Sequence, residues 1–157
     1  MIFEQIEEFA QALPQGAALA GLDLGTKTIG VAVSDLFLTV ATPLETVKRK
    51  KFGVDAAALA KIVQDRAIGG LVLGLPRNMD GTEGPRCQST RAFARNFDAA
   101  YPLPITFWDE RLSTVAAEKA LLEADTTRKR RAEVIDHVAA GYILQGALDR
   151  LRVLRQG

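Results

Sequence analysis

Hydrophobic positions change their period several times along the chain, and each change marks an element. Ile2, Ile6, Phe9 and Leu13 recur at helical spacing, and Pro14 and Gly16 stop that helix, predicting an N-terminal helical extension over residues 1–16. ALAGLDL (18–24) and TIGVAVSD (28–35) read as strands, and the Gly25-Thr26-Lys27 connection is short enough to force an antiparallel hairpin. In the second of these, Ile29, Val31 and Val33 share one face, while Thr28, Gly30, Ala32 and Ser34 keep the other face small. A helix or a substrate could approach the sheet closely there. A third strand is expected around 38–44, at an edge because of Pro43.

Beyond residue 50 the pattern alternates. A helix is expected over 53–67, followed by the apolar run 69–74, which suits a strand buried on both faces in parallel sheet. Pro85 can open a helix running to Ala100, PITFW (104–108) is another strand, and Ser113 can cap a helix ending near Ala124. The last and longest helix starts near Arg131. A hairpin followed by strand–helix alternation implies an α/β protein with a mixed sheet flanked by helices. No repeat or linker divides the 157 residues, so one domain is expected.

Composition narrows the class. Hydrophobic residues make up 48% and charged residues 25%, a globular balance rather than a disordered one. The opening MIFEQIEEFAQAL carries acids where a secretory signal carries cations, and no apolar run reaches membrane-spanning length. The single cysteine, Cys87, excludes an internal disulfide and a multi-cysteine zinc site, and reads as a small apolar helix residue. A cytoplasmic protein without membrane partners is expected.

Net charge is only +1, so the whole molecule does not announce a polyanionic partner. Two basic runs are nevertheless concentrated, Lys48-Arg49-Lys50-Lys51 and Arg128-Lys129-Arg130-Arg131. Each can be a solvated loop. The second precedes a helical pattern, where cations oppose the macrodipole and an arriving phosphate would relieve the mismatch.

Acids carry the chemistry. Asp23 stands near the end of an apolar strand, and Asp109 and Glu110 end another. Asp136 heads a helical stripe of Ala139, Ala140, Ile143, Leu144, Ala147 and Leu148, so it faces the core. A carboxylate there needs a cation, a donor or a shifted pKa. Strand ends are where open α/β sheets place their working crevice. If the three acids converge, oxygen-only donors suit one or two magnesium or manganese ions, and two such ions can cleave a phosphodiester. The plainer reading pairs each acid with a nearby base such as Arg111.

GLDLGTKTIGVAVSD (21–35), GLPRNMDGTEGPR (74–86), DERLST (109–114) and IDHVAAGYIL (135–144) together resemble the YqgF family, whose bacterial members are described as pre-16S rRNA nucleases or Holliday-junction resolvases. The resemblance spans about residues 18–150. It implies a ribonuclease H-like fold with a five-stranded sheet, and Asp23, Glu110 and Asp136 as catalytic, metal-holding acids. Asp109 would support them from behind. His137 follows where the family often has Lys or another polar residue, and the simpler reading turns it to solvent. The implied partner is pre-16S rRNA, or else branched DNA, bound by a monomer or a homodimer.

The loop GLPRNMDGTEG could hold a phosphate on exposed amides, with Arg77 and Asn78 gripping the backbone, or could simply connect strand to helix. Lys27, Arg111, Arg128, Lys129, Arg130 and Arg131 are further candidates for phosphate contacts, which position without reading sequence. Two other classes compete. Asp23-Leu24-Gly25-Thr26-Lys27 also resembles the first phosphate loop of the actin, sugar-kinase and Hsp70 ATPases, although no second copy of that loop is present. A non-catalytic nucleic-acid-binding module is the other.

Overall fold

The computed structural model describes residues 1–112 and 128–156, with side chains over 1–112 and 137–156. Its elements are β1 (Ile2–Phe3), α1 (Ile6–Ala12), β2 (Ala18–Leu24), β3 (Thr28–Ser34), β4 (Ala41–Lys48), α2 (Phe52–Asp65), β5 (Ile68–Leu75), α3 (Pro85–Ala100), β6 (Ile105–Asp109), a 3₁₀ turn (Glu110–Leu112) and α4 (Arg128–Gln156). The strands form one sheet in the order β1-β6-β5-β2-β3-β4. β1, β6, β5 and β2 run parallel to one another, whereas β3 pairs antiparallel with both β2 and the edge strand β4.

Six strands replace the five expected. The extra one comes from residues read as helix: Ile2 and Phe3 pair with Ile105 and Thr106, and the helix begins only at Ile6. Thr106 Oγ1 reinforces the pairing by donating to Phe3 O at 2.8 Å. Ile2 fits both a strand and a helical stripe, so spacing alone could not separate them. α1 then docks on the domain, with Phe9 fully buried among Leu19, Val72 and Leu151. The third strand likewise starts later than expected, because residues 35–40 form a turn closed by Asp35. β4 does lie at the sheet edge. The helix expected from Ser113 lies outside the described residues.

Two layers cover the sheet. α2 and α3 pack on Leu22, Leu24, Ile29, Val31 and Leu73 through Leu59, Phe93 and Phe97. On the other face α4 packs against Leu19, Ala32 and Val72 through Ala140, Ile143, Leu144 and Ala147, all of them fully buried. The small face of β3 therefore receives a helix. Burying each such leucine or isoleucine contributes about 1.5–3 kcal/mol. Glycine sets how near α4 comes: a Cβ on Gly21 would stand 2.7 Å from Leu144 Cβ and 2.9 Å from the Ala140 carbonyl oxygen. Cys87 is buried on α3, and burial pushes its thiol above the ordinary pKa.

Candidate functional site

Asp23 and Glu110 reach the same face of the sheet. Along β2 the alternation sends Leu22 and Leu24 toward α2 and α3, and therefore Leu19, Gly21 and Asp23 toward α4. Along β6 the same rule puts Trp108 on the α4 side, and Glu110 follows two residues on. Both carboxylates are buried, at 5% and 7% exposure, and both take part in polar interactions.

Only β5 separates their strands, and it carries a glycine at that level. Leu22 pairs with Leu73, and Gly74 pairs with Trp108. A Cβ on Gly74 would stand 3.4 Å from Glu110 Cδ, so the Glu110 carboxyl leans over β5 toward β2. Parallel strands are about 4.8 Å apart, which leaves roughly one strand spacing between that carboxyl and β2. The two acids share the carboxyl ends of neighbouring parallel strands, where such sheets keep their crevice.

The third acid sits on α4, and its side chain lies outside the described residues. The backbone nevertheless fixes its level. Asp23 pairs with Gly30, and Gly30 pairs with Thr46. Thr46 Oγ1 lies 2.9 Å from His137 Nδ1. One turn later Gly141 meets Pro43, which shares the level of Ala32 and Gly21. One turn later again, Gln145 Oε1 accepts the Ala41 amide at 2.8 Å, level with Ser34. α4 thus runs along the strands with residue 137 level with Asp23, and it meets β2 at Gly21 through Ala140 and Leu144. His137 is half-buried and bonded rather than solvent-facing, because the edge strand reaches it.

Asp109 differs from its neighbour. It points to the opposite side and receives both Arg111 Nε and Nη2, the latter at 2.7 Å. Arg111 holds its carboxyl below the usual range. The pairing with a local base therefore accounts for Asp109, and Arg111 is largely spent on it. Its Nη1 donates to Met79 O at 3.4 Å, clasping the 76–84 loop.

That loop is internally bonded. The amides of Arg77, Asn78, Gly81 and Thr82 donate to Leu75 O, Thr82 O, Asn78 O and Asp80 Oδ1. These four amides are engaged within the loop; glycine enters at Gly81, where φ is +90°. Asn78 Nδ2 donates to Thr82 Oγ1 at 3.0 Å. Arg77 pairs with Glu83 at 3.3 Å, while its buried Nε has no hydrogen-bond partner among the described residues. Glu83 in turn is bound by Arg91 at 2.7 Å, which holds it below its ordinary pKa. Lys27 is exposed in the β2–β3 turn.

The basic run 128–131 belongs to the first described turn of α4 rather than preceding the helix, and the side chains of Arg128, Lys129, Arg130 and Arg131 lie outside the described residues. Two other cations escaped sequence reasoning. Arg49 Nη1 donates to Gly25 O at 2.6 Å, and Arg86 Nη2 to Leu24 O at 3.2 Å, immediately after Asp23. Arg49 stood inside a run that reads equally well as solvated loop, and Arg86 closes the 74–86 motif, where nothing local sets it apart as a phosphate contact.

Among the described residues no group of three or more His, Cys, Asp or Glu is close enough to hold a metal. The described donors are Asp23 and Glu110, two buried carboxylates without sulfur or imidazole, and carboxylate oxygen is the donor type of a hard divalent cation.

Comparison with known proteins gives a consistent result. A family model described as RuvX, Holliday junction resolvase, matches residues 17–150. A protein of Roseobacter denitrificans named "Putative pre-16S rRNA nuclease" is 76% identical over 157 residues, 99% of this chain and 96% of its own length. A protein of Ruegeria pomeroyi with the same name is 77% identical over 154 residues, 98% of this chain and all of its own. Among solved structures, Thermus thermophilus RuvC in complex with a Holliday junction substrate superposes with a TM-score of 0.56 at 14% identity, over 90% of this chain and 96% of that one. At that identity the likeness is one of fold.

Proposed function

Because the chain belongs to the RuvX family, described as Holliday junction resolvases, we propose that it is a divalent-metal-dependent nuclease cutting phosphodiester bonds in structured nucleic acid. The 5′ end of pre-16S rRNA is its first substrate, in keeping with the name carried by relatives 76% and 77% identical. It works in the cytoplasm as one ribonuclease H-like domain over residues 1–157, with 1–16 as an added N-terminal segment.

One observation carries the reading: two carboxylates, Asp23 and Glu110, are buried at the ends of parallel strands on the α4 face, and the helix bearing Asp136 runs level with Asp23. Asp23, Glu110 and Asp136 would hold magnesium or manganese, one or two ions. When bound, such ions lower the pKa of water and stabilise the leaving oxygen of an in-line displacement. The protein's own part is positional. Gly74 leaves room over β5 for the Glu110 carboxyl, and Gly21 lets α4 come close to β2 at Ala140 and Leu144, one turn and two turns beyond Asp136. Asp109 keeps Arg111 on the loop beside Glu110 instead of inside the acid cluster. Lys27, Arg77 and Asn78, with the cations at 128–131, would meet backbone phosphates, which orient a strand whatever its sequence.

The test is metal-dependent cleavage of a labelled structured RNA by wild type and by Asp23→Asn and Asp136→Asn. Both variants are expected to stay folded and lose cleavage. Full activity in either ends this mechanism.

The family description favours a second reading, resolution of four-way DNA junctions. A resolvase makes paired cuts and is expected to act as a symmetric dimer, whereas trimming of precursor RNA suits a monomer. Mass in solution, measured beside cleavage of both substrates at one salt concentration, decides between them.

A further inference from the structure

A groove of about 500 Å³ opens between the β2–β3 turn and the first turn of α3, lined among others by Gly25, Thr26, Arg49, Lys50, Arg86 and Ser89. Its walls carry three cations. Among the described residues, no ion pair engages Arg49, Lys50 or Arg86. Asp55 is buried nearby, and its Oδ1 accepts the backbone amide of Lys50 at 2.8 Å.

Both guanidiniums are anchored without being neutralised. Arg49 Nη1 donates to Gly25 O at 2.6 Å, and its Cζ lies 5.8 Å from the Phe93 ring centroid. Arg86 Nη2 donates to Leu24 O at 3.2 Å. A carbonyl oxygen and a ring face fix orientation but leave the formal charge in place, and each guanidinium keeps further donors. Two forks held beside one opening suit an anion with several acceptor oxygens. The anchoring carbonyls belong to the two residues that follow Asp23, so the groove and that carboxylate occupy the same end of β2, on opposite sides of it.

We infer that this groove is a second phosphate site, holding a backbone phosphate of the substrate strand next to the one being cut, with Arg49 and Arg86 as positioning residues. The inference rests on the nuclease reading for the identity of the strand. A strand crossing the end of β2 would be held on the α3 side while its neighbouring linkage lies over the acids on the α4 side. Contact is to phosphate oxygens only, so the site sets register and carries no base preference.

The experiment is a binding cycle on the full chain with chelator present, so that cleavage plays no part. A labelled RNA hairpin with a single-stranded overhang is titrated against wild type, Arg86→Gln and the double variant Arg49→Gln/Arg86→Gln. It is used intact and with single methylphosphonate linkages placed one at a time. Arg86 is exposed, so its variant keeps the fold, and the linkage scan on wild type needs no variant at all.

Expected is a loss on the order of tenfold in wild-type affinity at one or two neighbouring linkages, the size of a lost charge-assisted bond. The double variant should show no further loss at those linkages, and its salt slope should fall by about one. Where cleavage is measurable, KM rises and kcat holds. Variants that bind like wild type, or linkage losses equal in wild type and double variant, overturn the site. A chain that never cleaves but passes the cycle loses the nuclease reading and keeps the groove as a phosphate site, without its place beside a cut linkage.

Discussion

Thr46 and His137 lock the sheet edge to the long helix: Oγ1 of one lies 2.9 Å from Nδ1 of the other. The contact joins β4 to α4 at the level of Asp23, so it ties this stretch of the helix to the sheet edge. Thr46→Val should cost about 0.5–1.5 kcal/mol of stability. Nuclease activity should fall by more than that loss explains, because position 136 shifts with the helix. A urea midpoint measured beside the cleavage rate checks both.

Gly21 sets the height of that helix. A methyl group there meets Leu144 Cβ at 2.7 Å and the Ala140 carbonyl oxygen at 2.9 Å, neither of which can rotate away. Gly21→Ala should destabilise by about 1–3 kcal/mol as an overpacked core position. Denaturant unfolding within error of wild type would contradict the close approach.

Asp109 and Glu110 are neighbours with separate roles. Glu110→Gln should lower cleavage more than about 100-fold, since groups that merely support a metal ligand already cost 10–100-fold. Asp109→Asn loosens Arg111 and the 76–84 loop, and should stay within about tenfold of wild type. The reverse ranking of the two rates would exchange the assignments.

Asp35 gives the fold part of its acid sensitivity. The Thr39 hydroxyl donates to it at 2.6 Å, and the amides of Val40 and Thr39 add two more bonds, holding its pKa down from 3.8 to about 2. The folded carboxyl resists protonation more than the unfolded one. Its stabilisation is therefore complete above about pH 4 and drains away as pH falls toward 2. Asp35→Asn should lower the unfolding midpoint at pH 7 and converge on wild type near pH 2. A constant offset across that range would exclude the linkage.

Ala67 ends α2 with φ at +52°, a left-handed conformation that costs an L-residue about 1–2 kcal/mol. Ala67 N donates to Gln64 O and its own carbonyl accepts the Ala18 amide, so the conformation is held at both ends. Ala67→Gly should leave stability unchanged or raise it by up to about 1 kcal/mol, despite the added chain entropy of glycine. Thermal unfolding measures it.

Much of this architecture is legible in the amino acids. The hairpin, α3 from Pro85 to Ala100, and the stripe running from Ala139 to Leu148 follow from period and punctuation, because each buries one regular face. Asp23 and Glu110 stand out as acids where apolar residues belong. What escaped depends on partners distant in sequence. Nothing local distinguishes Ile2 in a strand from Ile2 in a helix until Ile105 lies alongside. His137 looks like any exposed polar residue until Thr46 meets it, 91 positions away. Arg49 and Arg86 acquire meaning only from the carbonyls that hold them.

The two margins of the sheet are defended differently against adding foreign chains. On one side the two-residue strand Ile2–Phe3 covers Ile105 and Thr106 of β6, so the outermost strand there is very short. On the other, the eight-residue β4 carries Pro43, which offers no amide proton, Glu45, and a register shift opposite Val31 and Ala32. Proline, charge and irregularity are the ordinary deterrents to edge-to-edge polymerisation. Stripping residues 1–3 would uncover Ile105 and Thr106 as a template and leave the domain prone to stack through β6.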